Sequence, residues 1–285
     1  MFHKVLIAAV SSLILASGPL VAQEELLWRE VEPENMVVME LQTGTVIIEL
    51  NPAFAPKTVE QFRALVRDRF FDGLGFYRVI DGFVAQGGDG SDLGELSDKP
   101  TIDAEFERKW DEDELTWQPA QEPDLFAPRA GFVDGFPAGR GPEGKSVWLT
   151  HCPGAVAMAR NNDKNSSRSD FYIVIGQAPR YLDRNMNIFG RVIDGMNVVQ
   201  QIERGPGNNN GIFRDETKIT RIRSMRMASD IPEEDRISAY VVDTNSLGFL
   251  ESLESRRERK QPFFHHEPPQ VLDVCQVPLG SRITK

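Results

Sequence analysis

Cysteine and histidine are scarce in this chain: its 285 residues include two cysteines and four histidines. Two cysteines permit one intramolecular bridge at most, or two buried thiols. His265 and His266 stand together in a Pro-rich tail, without cysteine or carboxylate partners at metal-ligand spacing, so no metal centre is expected. No Ser, His and Asp set stands in a nucleophile context such as G-x-S-x-G. Gly139, Gly141 and Gly144 spell G-x-G-x-x-G, but no strand precedes them and Pro142 breaks the expected helix start. A dinucleotide cofactor is therefore not expected, nor is any other. Basic residues are also short, at 32 against 43 acidic ones, for a net charge of −11. Phosphate backbones attract basic patches, so this balance argues against nucleic acid as a partner. Internal repeats are absent, and beyond residue 22 no apolar run is long enough to cross a membrane.

The one sustained apolar run is at the start. Lys4 gives a positive flank, Val5 to Leu15 is interrupted only by Ser11 and Ser12, and Ala22 precedes the polar Gln23. This layout predicts a secretory signal over 1–22 with cleavage near Ala22, hence an exported protein.

The rest reads as a mainly β chain. Residues 23–34 are polar and acidic and suggest a loose leader. Val37 to Gln42 and Thr45 to Leu50 alternate as strands around Thr43-Gly44, a hairpin signal. Pro56 suits the first turn of a helix whose face is Val59, Phe62, Leu65 and Val66. Strands follow at 76–80, 83–86, 155–159, 171–176, 188–193 and 219–227, with a short helix over 196–203. Many short strands with few helices suggest a closed barrel or sandwich. Residues 91–149 form an acidic insert, rich in Pro, Gly and Trp, with little periodicity. Residues 229–285 are a C-terminal extension. In it Leu247, Leu250 and Leu253 mark one helix face, and Arg256, Arg257, Arg259 and Lys260 suit that helix's negative end.

One constellation carries chemistry. Phe76-Tyr77-Arg78-Val79-Ile80-Asp81-Gly82-Phe83-Val84-Ala85-Gln86-Gly87-Gly88-Asp89 places one cation beside several apolar side chains and a Gly-Gly pair. This arrangement points to a concave site with one strong donor. This segment resembles the cyclophilin pattern F-H-R-I-I-P-G-F-M-x-Q-G-G-D. Ala55 to Phe62 is similar to the family's A-P-K-T-x-x-N-F, and Pro153 to Ala159 to its P-G-x-x-x-M-A. Ser169-Asp170-Phe171-Tyr172-Ile173 stands where the family has S-Q-F-F-I. Tyr181-Leu182-Asp183 and Phe189-Gly190 stand where it has W/F-L-D and F-G. The run Met158-Ala159-Arg160 resembles exported bacterial members in particular.

The resemblance implies a closed eight-stranded antiparallel β-barrel capped by two helices over residues 35–228, with the insert at 91–149 and a partly helical tail added. It implies a peptidyl-prolyl cis-trans isomerase acting on proline-containing polypeptides, as a monomer in the periplasm. Arg78, Phe83 and Gln86 would be catalytic. Phe83, Val84, Tyr172 and Leu182 would line a proline pocket flanked by Tyr181, with Ile80 and Met186 in contact with substrate. Gln86, Ala159, Arg160 and Asn161 would hold the peptide backbone. Asp170, Tyr181 and Met186 depart from the commonest pattern. An ionised Asp170 can only accept hydrogen bonds, and pairing with Arg160 is expected, which leaves Arg78 to the substrate. The departures keep open another class, a cyclophilin-shaped binding or chaperone module with little activity. Cys152 and Cys275, the only cysteines of an exported chain, are expected to form a disulfide.

Overall fold

The computed structural model describes residues 27–90, 98–177 and 179–284. The expected signal segment lies outside the described residues, as does the start of the leader. In chain order the strands begin with β1 (Trp28–Glu30), β2 (Met36–Leu41), β3 (Gly44–Leu50), β4 (Gly75–Ile80) and β5 (Val84–Gly88). The insert carries β6 (Arg108–Lys109), β7 (Trp117–Gln121), β8 (Arg129–Val133), β9 (Phe136–Arg140) and β10 (Ser146–Leu149). Next come β11 (Ala155–Met158), β12 (Phe171–Val174), β13 (Ile188–Asp194) and β14 (Ile222–Met227), then β15 (Ser238–Val242) and β16 (Ser281–Thr284) in the tail. The helices are α1 (Pro56–Arg67), α2 (Met196–Val199) and α3 (Leu247–Glu258).

An eight-stranded antiparallel sheet runs β14-β2-β3-β13-β11-β12-β5-β4. It curls until its edge strands meet: Phe76 N donates to Thr220 O (3.0 Å) and Ile222 N to Leu74 O (2.8 Å), around an antiparallel bridge between Gly75 and Arg221. Such closure satisfies the edge groups that an open sheet leaves unpaired. Inward residues alternate along each strand, so Val37, Met39, Val46, Ile48, Phe171 and Ile173 share one core. Helix α1 starts on Pro56 and presents Val59, Phe62, Leu65 and Val66 to that core. Phe62 sits at its centre, with ring centroids 4.7 Å from Phe189 and 5.1 Å from Phe71. Helix α2 is shorter than the sequence suggests, ending at Val199.

The leader is not loose throughout. β1 pairs with β15, which pairs with β16, making a three-stranded sheet. Its anchor is the buried Glu49 carboxylate on the outer face of β3, which takes Arg29 of β1 at 2.5 Å and Arg191 of β13 at 3.1 Å. A buried carboxylate needs such partners, because an unpaired charge away from water is costly.

The insert corrects the sequence reading more sharply. Instead of irregular chain, it contributes a five-stranded antiparallel sheet, β6-β10-β9-β8-β7. Val133, Phe136, Ala138, Val147 and Leu149 pack against Val84, Ala155, Ala157, Val174 and Ile188 on the outer face of the barrel. The Arg140 guanidinium lies 3.9 Å from the Trp110 ring centroid and 5.5 Å from that of Trp117. Gly139 faces Trp148 across the β9–β10 pair, and a Cβ there would fall 2.6 Å from the indole. Glu105 accepts from Lys57 N and Thr58 N (both 2.9 Å), placing a carboxylate on the positive end of α1.

In the tail, Ser246 caps α3 by accepting from Phe249 N. The buried positions of α3 are Gly248, Phe249 and Leu253, while Leu247, expected inward, is 59% exposed. Phe249 meets Phe132 of the insert edge-on at 5.3 Å, so docking on that ring sets the face. Cys152, between β10 and β11, is bonded to Cys275 in the tail.

Candidate active site

β4 and β5 are antiparallel neighbours, with Arg78 opposite Gln86 and Ile80 opposite Val84. The register shifts between Gly75 and Arg78. Such a bulge re-aims side chains, and Gln86 here meets both Tyr77 and Arg78. Arg78 Nη1 donates to Gln86 Oε1 (2.8 Å), and Gln86 Nε2 donates to the Tyr77 hydroxyl (2.6 Å). Arg78 Nε also donates to Asn210 O at 3.3 Å. Two of the guanidinium nitrogens are thus held by the protein. Nη2 has no acceptor among the described residues.

Gln86 lies opposite Tyr172 in the next pair, and Val84 opposite Val174. Outward side chains of three adjacent strands thereby converge. Val84, Ala159 and Tyr172 are buried in one apolar cluster, and Phe83 and Met186 pack against it half-buried. Ile80 and Leu182 are half-buried too, whereas Tyr181 is 68% exposed and Asn161 is exposed. The same cluster includes insert residues, so the insert sheet forms one side of this apolar region.

Asp170 does not pair with Arg160. Its buried carboxylate accepts from Gly90 N (3.0 Å), and its carbonyl accepts from Ala159 N (2.9 Å). The carboxylate is turned toward the loop after β5, against Gly88. That residue has φ +140°, and a Cβ there would fall 2.0 Å from Asp170 Oδ1. Arg160 is engaged elsewhere. It donates to Asn161 O (2.7 Å) and Asn185 O (2.9 Å), with its guanidinium 5.5 Å from the Phe106 ring centroid. Among the described residues no ion pair joins Asp170 to Arg160 or to Arg78.

A sequence profile for cyclophilin type peptidyl-prolyl cis-trans isomerase/CLD matches residues 36–224. The chain belongs to the cyclophilin family. A probable peptidyl-prolyl cis-trans isomerase of Brucella suis is 32% identical over 202 residues, covering 67% of this chain and 82% of that relative. The peptidyl-prolyl cis-trans isomerase CYP23 of Arabidopsis thaliana is 30% identical over 64% of this chain and 67% of its own length. Among solved structures, the cyclophilin AquaCyp293 from Hirschia baltica is similar with a TM-score of 0.72 and 31% identity, over 90% of this chain and 93% of that one. This last match extends past residues 36–224, so it takes in parts of the flanking leader and tail as well. The chain is accordingly a cyclophilin-type isomerase.

Sequence reasoning missed how this cyclophilin supports its pocket wall. The Tyr172 hydroxyl is 3.0 Å from His151 Nε2, and His151 Nδ1 is 3.0 Å from Asp183 Oδ1. His151 N also donates to that oxygen (2.9 Å). Arg180 Nε donates to Asp183 Oδ2 (2.5 Å) and Arg180 Nη2 to Asp124 Oδ1 of the insert (2.9 Å). An ionised Asp183 can only accept, so a neutral His151 would carry its proton on Nδ1 and accept from Tyr172 at Nε2. Burial raises the Tyr172 phenol far above its ordinary range, which keeps it a donor. Burial works against a charged Arg180, and the carboxylates of Asp183 and Asp124 more than offset it. The available signal was the family's Phe at position 172, replaced here by a residue whose buried hydroxyl requires a partner.

Proposed function

We propose that this cyclophilin binds X–Pro segments of exported polypeptides on the outer face of β4, β5, β11 and β12, and isomerises them there with Arg78. The observation that carries the reading is the Arg78–Gln86 hydrogen bond at the edge of the apolar cluster. An X–Pro amide has a rotation barrier of about 18–20 kcal/mol because of its partial double-bond character. Twisting the bond removes resonance and makes the prolyl nitrogen a better acceptor. A guanidinium donating to that nitrogen favours the twisted state over the planar one, which lowers the barrier. Gln86 orients the fork, and Nη2 of Arg78 is the nitrogen suited to the substrate. Phe83, Val84, Tyr172, Leu182 and Met186 supply apolar walls for the ring, with Ile80 and Tyr181 at the rim. Ala159, Arg160 and Asn161 run alongside as the backbone-holding edge. Asp170 acts indirectly, by holding the amide of Gly90 just past the end of β5.

Export is supported by the signal-like start at Val5 to Ala22 and by the Cys152–Cys275 bond, which suits an oxidising compartment such as the periplasm. Cell fractionation with N-terminal sequencing of the mature protein tests this. Cytoplasmic protein beginning at Met1 would overturn it. Light scattering tests the accompanying expectation of a monomer.

The isomerase mechanism is tested by protease-coupled peptide turnover. Arg78→Ala is expected to lose about 10²–10³-fold in kcat/KM, the scale of removing one transition-state donor, with an unchanged melting temperature. Unchanged turnover in that variant would refute the role of Arg78.

A further inference from the structure

A groove of about 800 Å³ runs beside the proposed pocket, between the insert and residues 180–185. Its floor is the buried Trp148, and its walls are Phe106, Phe126 and Tyr181. Phe126 is 47% exposed and Tyr181 68%, so two large rings face solvent across one depression. Leu125, next to Phe126 in the same loop, is 87% exposed. Exposed apolar side chains scattered singly need no explanation, but a concentration of them at a concave place marks a binding surface.

The rings are held from behind. The Arg184 guanidinium lies 4.9 Å from the Trp148 centroid and pairs with Glu107 at 2.8 Å. The Arg180 guanidinium lies 5.3 Å from the Phe126 centroid and is fixed by Asp183 and Asp124. Each arginine is thus offset by a carboxylate. With Lys164 as the one further cation in the lining, the groove presents mainly aromatic faces, which suit a ring better than a phosphate.

The groove is continuous with the proposed proline site. Tyr181, Arg184 and Asn185 line it, and they interleave with Leu182 and Met186 on one segment. Arg160 joins the two regions by donating to Asn185 O while lying against the Phe106 ring. A polypeptide with its proline on Phe83 and Met186 therefore has neighbouring residues within reach of the groove.

We infer that this groove is a second subsite for the client polypeptide, and that it takes an aromatic side chain a few residues from the isomerised proline. The inference rests on the reading that the adjacent face handles X–Pro segments. The insert would then select among clients, not merely cover the barrel.

The test uses length-matched decapeptides with one central X–Pro bond, carrying Phe or Ala at each flanking position in turn. Affinity is read by calorimetry and turnover by magnetisation-exchange NMR, on the full chain and on Phe126→Ala, Phe106→Ala and Arg78→Ala. At one position, Phe is expected to tighten binding roughly tenfold over Ala, the scale of one well-placed ring contact. That preference should fall below about twofold in Phe126→Ala and Phe106→Ala and persist in Arg78→Ala. Turnover of a proline tetrapeptide too short to reach the groove should be unchanged in Phe126→Ala. No preference for Phe at any position would overturn the subsite, and so would a preference that survives both groove variants. A groove-dependent preference in a protein that turns over none of the peptides would support the subsite while overturning the isomerase reading.

Discussion

The barrel and the insert sheet touch along one face but are built on different terms. Inside the barrel, side chains from opposite strands and from α1 meet in an aromatic and aliphatic core around Phe62, Phe171 and Phe189. The insert sheet packs its apolar residues onto the barrel's outer face and shares a cluster with it. Its other ties are charges: the Asp124–Arg180–Asp183 chain, Glu105 on α1, and Arg29 between Glu49 and Asp134 O. A strand that buries both faces, like β3, then needs both neighbours. The barrel is organised chiefly around its buried core, whereas insert and tail add specific polar contacts and one covalent bond to their apolar packing.

Four measurements sharpen or break this contrast. The largest effect is expected from reduction of the disulfide or from Cys152→Ser with Cys275→Ser. In the chain-entropy model, a loop spanning 123 residues contributes roughly 4–5 kcal/mol. Loss of hydrogen-exchange protection should concentrate in α3 and the insert, with the barrel strands retained. Uniform loss over the barrel would break the contrast. Phe62→Ala comes next, at about 3–5 kcal/mol from the lost burial and the cavity left behind. Chemical denaturation should show it, with every barrel strand affected together.

Tyr172→Phe sits at the boundary between the two regions. It removes the hydroxyl that His151 Nε2 accepts from and leaves that buried nitrogen unsatisfied, a cost of about 1–3 kcal/mol. The ring remains, so peptide turnover should change less than tenfold. A collapse of turnover with unchanged stability would show the hydroxyl to be part of the chemistry rather than of the scaffold. The smallest effect concerns Asp72, whose carboxyl is held below its ordinary value chiefly by the hydrogen bond from Arg226. A depressed folded value means stability that is present at neutral pH and lost as pH falls below about 4, the ordinary carboxylate range. Asp72→Asn should flatten part of that acid slope in pH-dependent melting and leave the neutral-to-alkaline side parallel to wild type.

The same contrast governs what could be read from sequence. β2, β3 and α1 announce themselves through alternation and helical spacing because one buried face decides each. The hairpin is displaced only slightly, with Gly44 inside β3 and not in the turn. Arg78, Gln86, Val84 and Tyr172 fall together because adjacent strands in register must bring them together. The insert strands stay hidden. β7 and β9 contain Pro119 and Pro137, β8 and β9 contain Gly131 and Gly139, and much of what fixes them is a partner far along the chain. Asp170 is misread for a related reason. Its carboxylate accepts from the amide of Gly90, and a backbone group carries no signature in a list of side chains. The α3 face fails likewise, since counting leucines picks Leu247 while Phe132 selects Phe249.

The bond from Cys152 to Cys275 also makes a closed covalent ring of everything between them. Within that ring, residues 261–267 are exposed and offer a protease an approach. A single cut there opens the ring without releasing a fragment: the nicked protein keeps its full mass until a reductant reaches the sulfurs, and only then does the piece carrying β16 come away. The tail strand that pairs with β15 is in this way insured against a first proteolytic event, and the second event that frees it is a redox one.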